Sequence, residues 1–368
     1  MKNIKYYSLI CFFIISCIPF NISATDNLSL IEVKPTLNFE TVIERTKQSV
    51  VLLSMNPNVD PDTDPAKMGL CSGVVVDNIG HVLTNFHCVH NNNYIRLFYY
   101  DQEDWQRYEV NVIGLDPLAD LAVLQVIGRE EPIPHLEFAK NSDKIMSGQD
   151  VFALGHPMGM AWTVTKGIIS STERFARHPF IKALQTDAAI NKGNSGGPLL
   201  NMKGEIIGIN AMIVSRISEN AGVGLAIRGD IAKKSLTSML VSGRTDRPAI
   251  GIMIVELSTK KQRNKIIKEF PEVKPEHIPN TYGVMIRPSD SIPEGLKVFD
   301  TIIAINDIYT NDSLSFSDEI YKYEIGNIIN LTIIRKKRFR RVDVPLKVFP
   351  VNVEKLYPPE TNRPRLNR

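Results

Sequence analysis

Three things are scarce in this sequence: net charge, cysteine and long apolar runs. Its 43 lysines and arginines nearly balance 40 aspartates and glutamates, leaving a formal charge of +3 over 368 residues. That balance gives no support for a nucleic-acid partner. No internal repeat is found. One apolar run, Tyr6–Phe20, stands out, too short for a comfortable membrane span and without a second transmembrane candidate after it. Lys2 and Lys5 precede it, and Ile22-Ser23-Ala24 offers a small-residue exit. The pattern predicts a signal peptide over 1–24 and export to the periplasm or medium. Ile14-Ile15-Ser16-Cys17 supports an alternative, a lipoprotein box with lipid anchoring through Cys17. Only four cysteines occur, and Cys11 and Cys17 fall in that segment. Cys71 and Cys88 remain, an even pair in an exported context.

The apolar content, 43%, suffices for more than one packed core. Residues 25–48 read as a leader followed by a short helix. Asn38 is its cap, and Phe39, Val42, Ile43 and Thr46 lie near one face. From Val50 to Ile227 short β runs dominate: Val50–Met55, Tyr94–Tyr100, Leu121–Val126, Val151–Leu154, Ile206–Val214 and Val223–Ile227. Many short strands with turns between them favour barrels or sandwiches over βαβ units. Asn56–Met68, rich in proline and aspartate, reads as a loop. Asp230 is placed to cap a helix with Ala232, Ser235, Leu236, Met239 and Leu240 inward and Gly243 at its end. The first domain is expected over 49–243. The polar linker Gly243–Pro248 leads to a smaller unit over 249–350, with strands and a helix near Ser317–Ile325, and then a tail over 351–368.

The most informative stretch is Gly193-Asn194-Ser195-Gly196-Gly197-Pro198-Leu199. A serine framed by glycines can sit on a turn whose N–H groups point inward, supplying a nucleophile and an oxyanion hole together. It follows Thr84-Asn85-Phe86-His87-Cys88 and Pro117-Leu118-Ala119-Asp120-Leu121. His87 suits the general base, and Asp120 the group that holds its tautomer. Asp120 adjoins an apolar run that would bury a carboxylate in need of a partner. His81, His90, His135, His156, His178 and His277 lack such company and read as ordinary histidines. Cys71–Val76 and His81–Thr84 read as a hairpin about Asn78–Ile79, which brings residue 71 near residue 86 and Cys88 within bridging reach. Two buried free thiols are the alternative. Arg335-Lys336-Lys337-Arg338-Phe339-Arg340-Arg341 reads as a solvated hairpin tip, with binding of anionic lipid or polymer as the alternative.

These blocks resemble the HtrA/Deg family of exported, chymotrypsin-like serine proteases with PDZ domains. The likeness includes Leu154-Gly155-His156-Pro157-Met158-Gly159-Met160, Thr186-Asp187-Ala188-Ala189-Ile190-Asn191 and Gly222-Val223-Gly224-Leu225-Ala226-Ile227. Gly295 to Asn306 is similar to the central PDZ signature. The resemblance implies a mainly β protein, a two-barrel trypsin-like domain followed by one α+β PDZ domain. It implies a triad of His87, Asp120 and Ser195 and an oxyanion hole at Gly193, Asn194 and Ser195. Ala189 and Ile190, with Asn210, Ala211 and Met212, are expected to shape a pocket for small or medium aliphatic residues, since no acid is placed there. Ala249-Ile250-Gly251-Ile252 is the candidate peptide-binding loop and adjoining strand of the PDZ unit.

The activity so implied is ATP-independent endoproteolysis of unfolded or misfolded proteins in an envelope compartment, without metal or organic cofactor. A holdase chaperone or a PDZ adaptor with low protease activity is the alternative. Homotrimers or assemblies of trimers are implied too, with C-terminal peptides as PDZ partners. Chymotrypsin-like enzymes of animal secretions often bridge the two positions held here by Cys71 and Cys88. Family members usually have valine at position 88 and asparagine at 156. Val298-Phe299 replaces the usual Pro-Gly before Asp300, so that turn is expected to be built differently.

Overall fold

The computed structural model describes residues 38–56, 70–92, 94–101, 104–129, 131–141, 144–157, 162–175, 182–211 and 222–353. The expected signal peptide, Cys17, the Asn56–Met68 loop apart from Asn56 itself, His178, Met212 and most of the tail lie outside them.

Helix α1 (Phe39–Lys47) begins as its sequence dictates, with Asn38 accepting the Thr41 N–H through its side chain. Six strands then close the first barrel: β1 (Val50–Ser54), β2 (Leu70–Val75), β3 (His81–Thr84), β4 (Arg96–Tyr100), β5 (Trp105–Asp116) and β6 (Leu121–Ile127). They run around it in the order β1-β2-β3-β6-β5-β4. Between β3 and β4 lies the short helix α2 (Phe86–Val89). A second closed barrel follows: β7 (Asp150–Gly155), β8 (Thr163–Phe175), β9 (Lys182–Thr186), β10 (Pro198–Asn201), β11 (Ile206–Asn210) and β12 (Gly224–Arg228). Its order is β10-β11-β12-β9-β8-β7, the same connectivity as the first. Closure leaves neither barrel with a free edge.

Period-two alternation sorts the side chains. In β1, Val51 and Leu53 enter the first barrel beside Val75, Val82, Leu97 and Leu124. Val50 points the other way, into a core shared between the barrels with Leu83, Leu121, Phe152, Leu154 and Ile209. Helix α3 (Gly229–Ser242) seals this shared core with Ala232 and Met239. It ends at Gly243, in a left-handed conformation (φ 72°), as the sequence suggested. Its start differs: Asp230 lies in the first turn and pairs with Arg228 instead of capping. Leu240, expected inside, is exposed.

The linker leads to β13 (Pro248–Ala249), which pairs with β20 (Lys347–Val348). A five-strand path runs β14 (Ile254–Glu256), β15 (Val284–Ile286), β16 (Thr301–Ile305), β18 (Ile328–Arg335) and β19 (Arg338–Pro345), with β17 (Ile308–Tyr309) beside β16. Helix α5 (Ser313–Ile320) starts four residues earlier than the sequence suggested, because Asp312 and Ser315 form a capping box. Phe316 and Ile320 carry it onto Ile302, Leu331 and Ile333. Helix α4 (Lys260–Glu269) has no counterpart in the sequence reading. In the turn before Asp300, Phe299 is left-handed, with φ 67°, and meets Phe270 with ring centroids 5.8 Å apart. Packing against Phe270 offsets the strain of a side chain there.

Candidate active site

The first barrel supplies His87 and Asp120. His87 stands on α2, immediately after Asn85, and Asp120 ends the turn before β6. The Asp120 backbone is left-handed (φ 56°), a conformation aspartate tolerates better than most residues. Four hydrogen bonds hold it. Its carbonyl accepts from the Phe86 N–H (3.0 Å) and the Asn85 side-chain amide (2.9 Å). Its carboxylate accepts from the His87 N–H (2.9 Å) and meets His87 Nδ1 at 2.7 Å. With Nδ1 donating, Nε2 is left as the acceptor that a general base needs. Asp120 is buried, and His87 keeps about a quarter of its side chain exposed (28%). Asn85 was read from the sequence only as company for His87; its amide ties the two segments together.

A histidine–carboxylate pair is not by itself a site. His81 Nδ1 meets Asp77 Oδ2 at 2.6 Å, but that carboxylate also receives the Ile79 and His81 N–H groups and closes the β2–β3 turn.

Ser195 comes from the second barrel, on the turn before β10. Its carbonyl accepts the Ser72 N–H of β2 (2.8 Å), which ties the turn to the opposite barrel. Gly193 has φ 101°, and a Cβ there would strike the His156 carbonyl at 2.5 Å. Gly196 has φ 85°, and a Cβ would overlap the Ser72 carbonyl and the Thr84 hydroxyl. The backbone therefore requires glycine at both places. Of the three residues expected to form the oxyanion hole, Asn194 is removed: its N–H donates to the Asn191 carbonyl at 3.0 Å. The N–H groups of Gly193 and Ser195 meet no acceptor among the described residues.

His156 was read as ordinary and is not. It is fully buried, and burial drives its pKa down to about 4, against a small opposing effect of the Val50 carbonyl. Its Nε2 lies 3.3 Å from that carbonyl, and its N–H donates to the Ser72 hydroxyl at 2.9 Å. That hydroxyl donates to the Gly193 carbonyl at 2.6 Å. His156 thus meets β1 through its neutral ring and β2 and the serine turn through its backbone N–H.

Ile190 faces Gly224, where a Cβ would fall 2.5 Å from its side chain. Asn210 and Ala211 are buried, Asn210 exchanging backbone hydrogen bonds with Gly196 and Gly197 (2.9 and 2.8 Å). The Ala189 carbonyl accepts from the Thr165 hydroxyl at 2.9 Å. Gly224 was not singled out as a wall residue; its place facing Ile190 depends on pairing with β9 that the sequence alone does not give.

A disulfide joins Cys71 of β2 to Cys88 of α2, with Cα atoms 6.1 Å apart. Both sulfurs and a ring nitrogen of His87 lie within 4.8 Å of one another. In the smaller unit, Pro248 and Ala249 pair with Val348 and Lys347 of β20, so Ala249 lies in a strand that adjoins the candidate peptide loop. Ile250 is buried, and Gly251 (φ 81°) and Ile252 precede β14, which is an edge strand.

Comparison with known proteins agrees with this geometry. A trypsin-like peptidase domain matches residues 71–209 and a PDZ domain residues 248–346. A probable serine protease do-like of Buchnera aphidicola is 34% identical over 79% of this chain and 59% of its own length. The periplasmic serine endoprotease DegP of Escherichia coli is 30% identical over 76% of this chain and 57% of its own. The solved HtrA-type protease AlgW with tripeptide superposes with a TM-score of 0.68 at 26% identity, covering 86% of this chain and 99% of that one. The chain belongs to the HtrA/Deg family. This HtrA-type chain has the two-barrel peptidase fold and the PDZ fold in the order expected from its sequence. It spans less than two thirds of the length of the curated relatives it matches.

Proposed function

We propose that this HtrA-type chain is an ATP-independent serine endopeptidase acting on unfolded or misfolded proteins in the periplasm. The observation that carries the reading is the His87–Asp120 pair of the first barrel together with the Ser195 turn of the second, whose Gly196 abuts Ser72, Thr84 and Asn85 of the first. In the reaction, His87 Nε2 takes the proton of Ser195 Oγ as that oxygen attacks the scissile carbonyl carbon. The N–H groups of Gly193 and Ser195 receive the oxyanion, and His87 returns the proton to the leaving amine. Water, activated by the same imidazole, then hydrolyses the acyl-enzyme. Ala189, Ile190, Asn210, Ala211 and Gly224 form walls that suit a small or medium aliphatic residue. The periplasmic setting is supported by the names of the relatives and by the signal-like N-terminus. Trimers, or assemblies of them, and lipidation at Cys17 rest on resemblance and sequence alone.

For the PDZ unit we propose that Ile250–Ile252 hold a peptide C-terminus while β14 pairs with the peptide. Calorimetry on the intact chain with an apolar C-terminal peptide, free acid against amide, tests this; equal affinity overturns it. For the enzyme, casein turnover by the parent and by Ser195→Ala decides. Turnover confined to the parent supports the reading, and undiminished turnover by the variant overturns it. A parent that suppresses aggregation without cutting would favour the holdase alternative.

A further inference from the structure

Ser72 of β2 is fully buried, and each of its polar groups is engaged at or beside the serine turn. Its N–H donates to the Ser195 carbonyl at 2.8 Å, and its hydroxyl donates to the Gly193 carbonyl at 2.6 Å. The hydroxyl oxygen accepts the His156 N–H at 2.9 Å, and the Ser72 carbonyl accepts the Thr84 hydroxyl at 2.8 Å. These directions are forced by the partners. A carbonyl can only accept and an amide N–H can only donate, so the hydroxyl proton lies on Gly193. The second barrel leaves room for this side chain. A Cβ on Gly155 of β7 would fall 2.9 Å from the Ser72 hydroxyl oxygen, and one on Gly197 would fall 3.2 Å from the Ser72 Cβ.

The two carbonyls that Ser72 holds belong to alternate peptide planes of the turn. A peptide plane is rigid, so bonds at both of its edges fix it. The Gly193–Asn194 plane is bound at its carbonyl by Ser72 and at its N–H by the Asn191 carbonyl (3.0 Å). The Ser195–Gly196 plane is bound at its carbonyl by Ser72 and at its N–H by the Asn210 carbonyl (2.9 Å). Between them, the Asn194 carbonyl accepts the Gly197 N–H (3.0 Å), which sends the Ser195 N–H of the same trans peptide to the opposite side. The Lys192–Gly193 plane has no hydrogen bond at either edge among the described residues. The torsion about Gly193, φ 101°, aims its N–H, and glycine is the residue with most freedom to change that angle.

We infer, on the peptidase reading proposed for this chain, that Ser72 is a positioning residue for the oxyanion hole. By holding the Gly193 and Ser195 carbonyls from one strand, it aims the two neighbouring N–H groups at one point. It acts through the turn and not on the reacting atoms. Outright loss of one such donor costs about 10²- to 10³-fold in kcat, and a misplacement of about 1 Å costs about 100-fold. One hydroxyl that steadies Gly193 therefore bears on the rate while leaving the walls of the substrate pocket in place. Cys71, next to Ser72, is bridged to Cys88, next to His87, so this clamp and the proposed base share one covalent anchor.

The test is Ser72→Ala in the full chain, which removes the hydroxyl and keeps the N–H bond to Ser195. In a fluorogenic peptide assay kcat should fall about 10- to 100-fold with KM little changed. Affinity for a peptidyl trifluoromethyl ketone, whose hemiketal oxygen occupies the oxyanion hole, should fall in step with kcat/KM. A merely structural role would lower the folded fraction and leave both constants per folded molecule as they are. Residue-resolved hydrogen exchange, corrected for intrinsic rates, reads the clamp without turnover. In the parent, the Asn194 and Gly196 N–H groups should exchange more slowly than that of Gly193. In Ser72→Ala the Asn194 exchange should rise about fivefold, the worth of one hydrogen bond. Asn194 and Gly196 exchanging as fast as Gly193 in the parent would overturn the proposal even if the variant did not fold. Undiminished kcat in folded Ser72→Ala, or ketone affinity that holds while kcat falls, would overturn it and leave the peptidase reading standing. A parent without turnover would overturn that reading, and this role of Ser72 with it.

Discussion

The guanidinium of Arg247 donates two parallel hydrogen bonds of 2.6 Å to the carboxylate of Asp116. Arg247 lies in the linker between the two folds, and Asp116 is the last residue of β5, four positions before Asp120. Asp116 is fully buried and also receives the Ser235 hydroxyl (2.7 Å) and the Ala119 N–H (3.1 Å). The linker is thus fastened to the turn that presents Asp120. Arg247→Ala would leave a buried carboxylate without its cation, at a cost of about 3–5 kcal/mol. Arg247→Ala with Asp116→Asn should recover much of that loss. Urea unfolding of the two single variants and the double variant measures both.

Catalysis should fail in graded fashion at the site. Ser195→Ala removes the proposed nucleophile and should abolish turnover. Asp120→Asn, which spoils the tautomer of His87, should lower kcat by about 10⁴-fold, and the two losses should not add. Asn85→Ala leaves the proposed triad intact but removes one hydrogen bond to the Asp120 carbonyl, that of the Phe86 N–H remaining. A fall in kcat of about 10- to 100-fold, with KM little changed, is expected in a fluorogenic peptide assay.

Stability should fall on acidification because of His156. Above pH 6.5 the ring is neutral in the native and unfolded chain alike. Between pH 6.5 and about 4 the unfolded chain binds a proton that the native one refuses, so unfolding becomes easier as pH falls. The loss reaches about 3 kcal/mol near pH 4 and does not grow further from this group. His156→Asn should flatten that part of the curve. Denaturant midpoints at several pH values between 4 and 7.5 provide the check.

The Cys71–Cys88 bridge closes a sequence separation of 17 residues, which chain-entropy reasoning values at about 3 kcal/mol. Mass spectrometry of alkylated, non-reduced protein should find neither thiol labelled. Full labelling of both in the folded enzyme would exclude the bond. Replacing the pair by Cys71→Ala and Cys88→Val should lower the unfolding free energy by about that amount.

Much of this architecture is readable from the chain. Short alternating strands announce barrels, and the β2–β3 register, Val74↔Leu83, places residue 71 opposite 86 as the hairpin reading requires. The motifs around His87, Asp120 and Ser195 mark the site because a glycine frame and a buried carboxylate each have few other uses. Helix α4 escapes because it buries only Ile266 and is otherwise mostly charged and polar; its signal is the Thr259–Gln262 capping box. The Arg247–Asp116 pair joins residues 131 positions apart, and no local pattern encodes such a contact. Asn194 stays in the expected oxyanion hole until the turn places its N–H on Asn191. The importance of His156 depends on burial among β1, β2 and the serine turn, which only the assembled barrels create.

The disulfide also bears on self-digestion. If the protease cuts unfolded chains as proposed, it will meet unfolded copies of itself. Between Cys71 and Cys88 such a copy is a ring, and the ring carries His87, the proposed base. One cut inside it opens a loop but releases no fragment, so the pieces remain joined until a reductant acts.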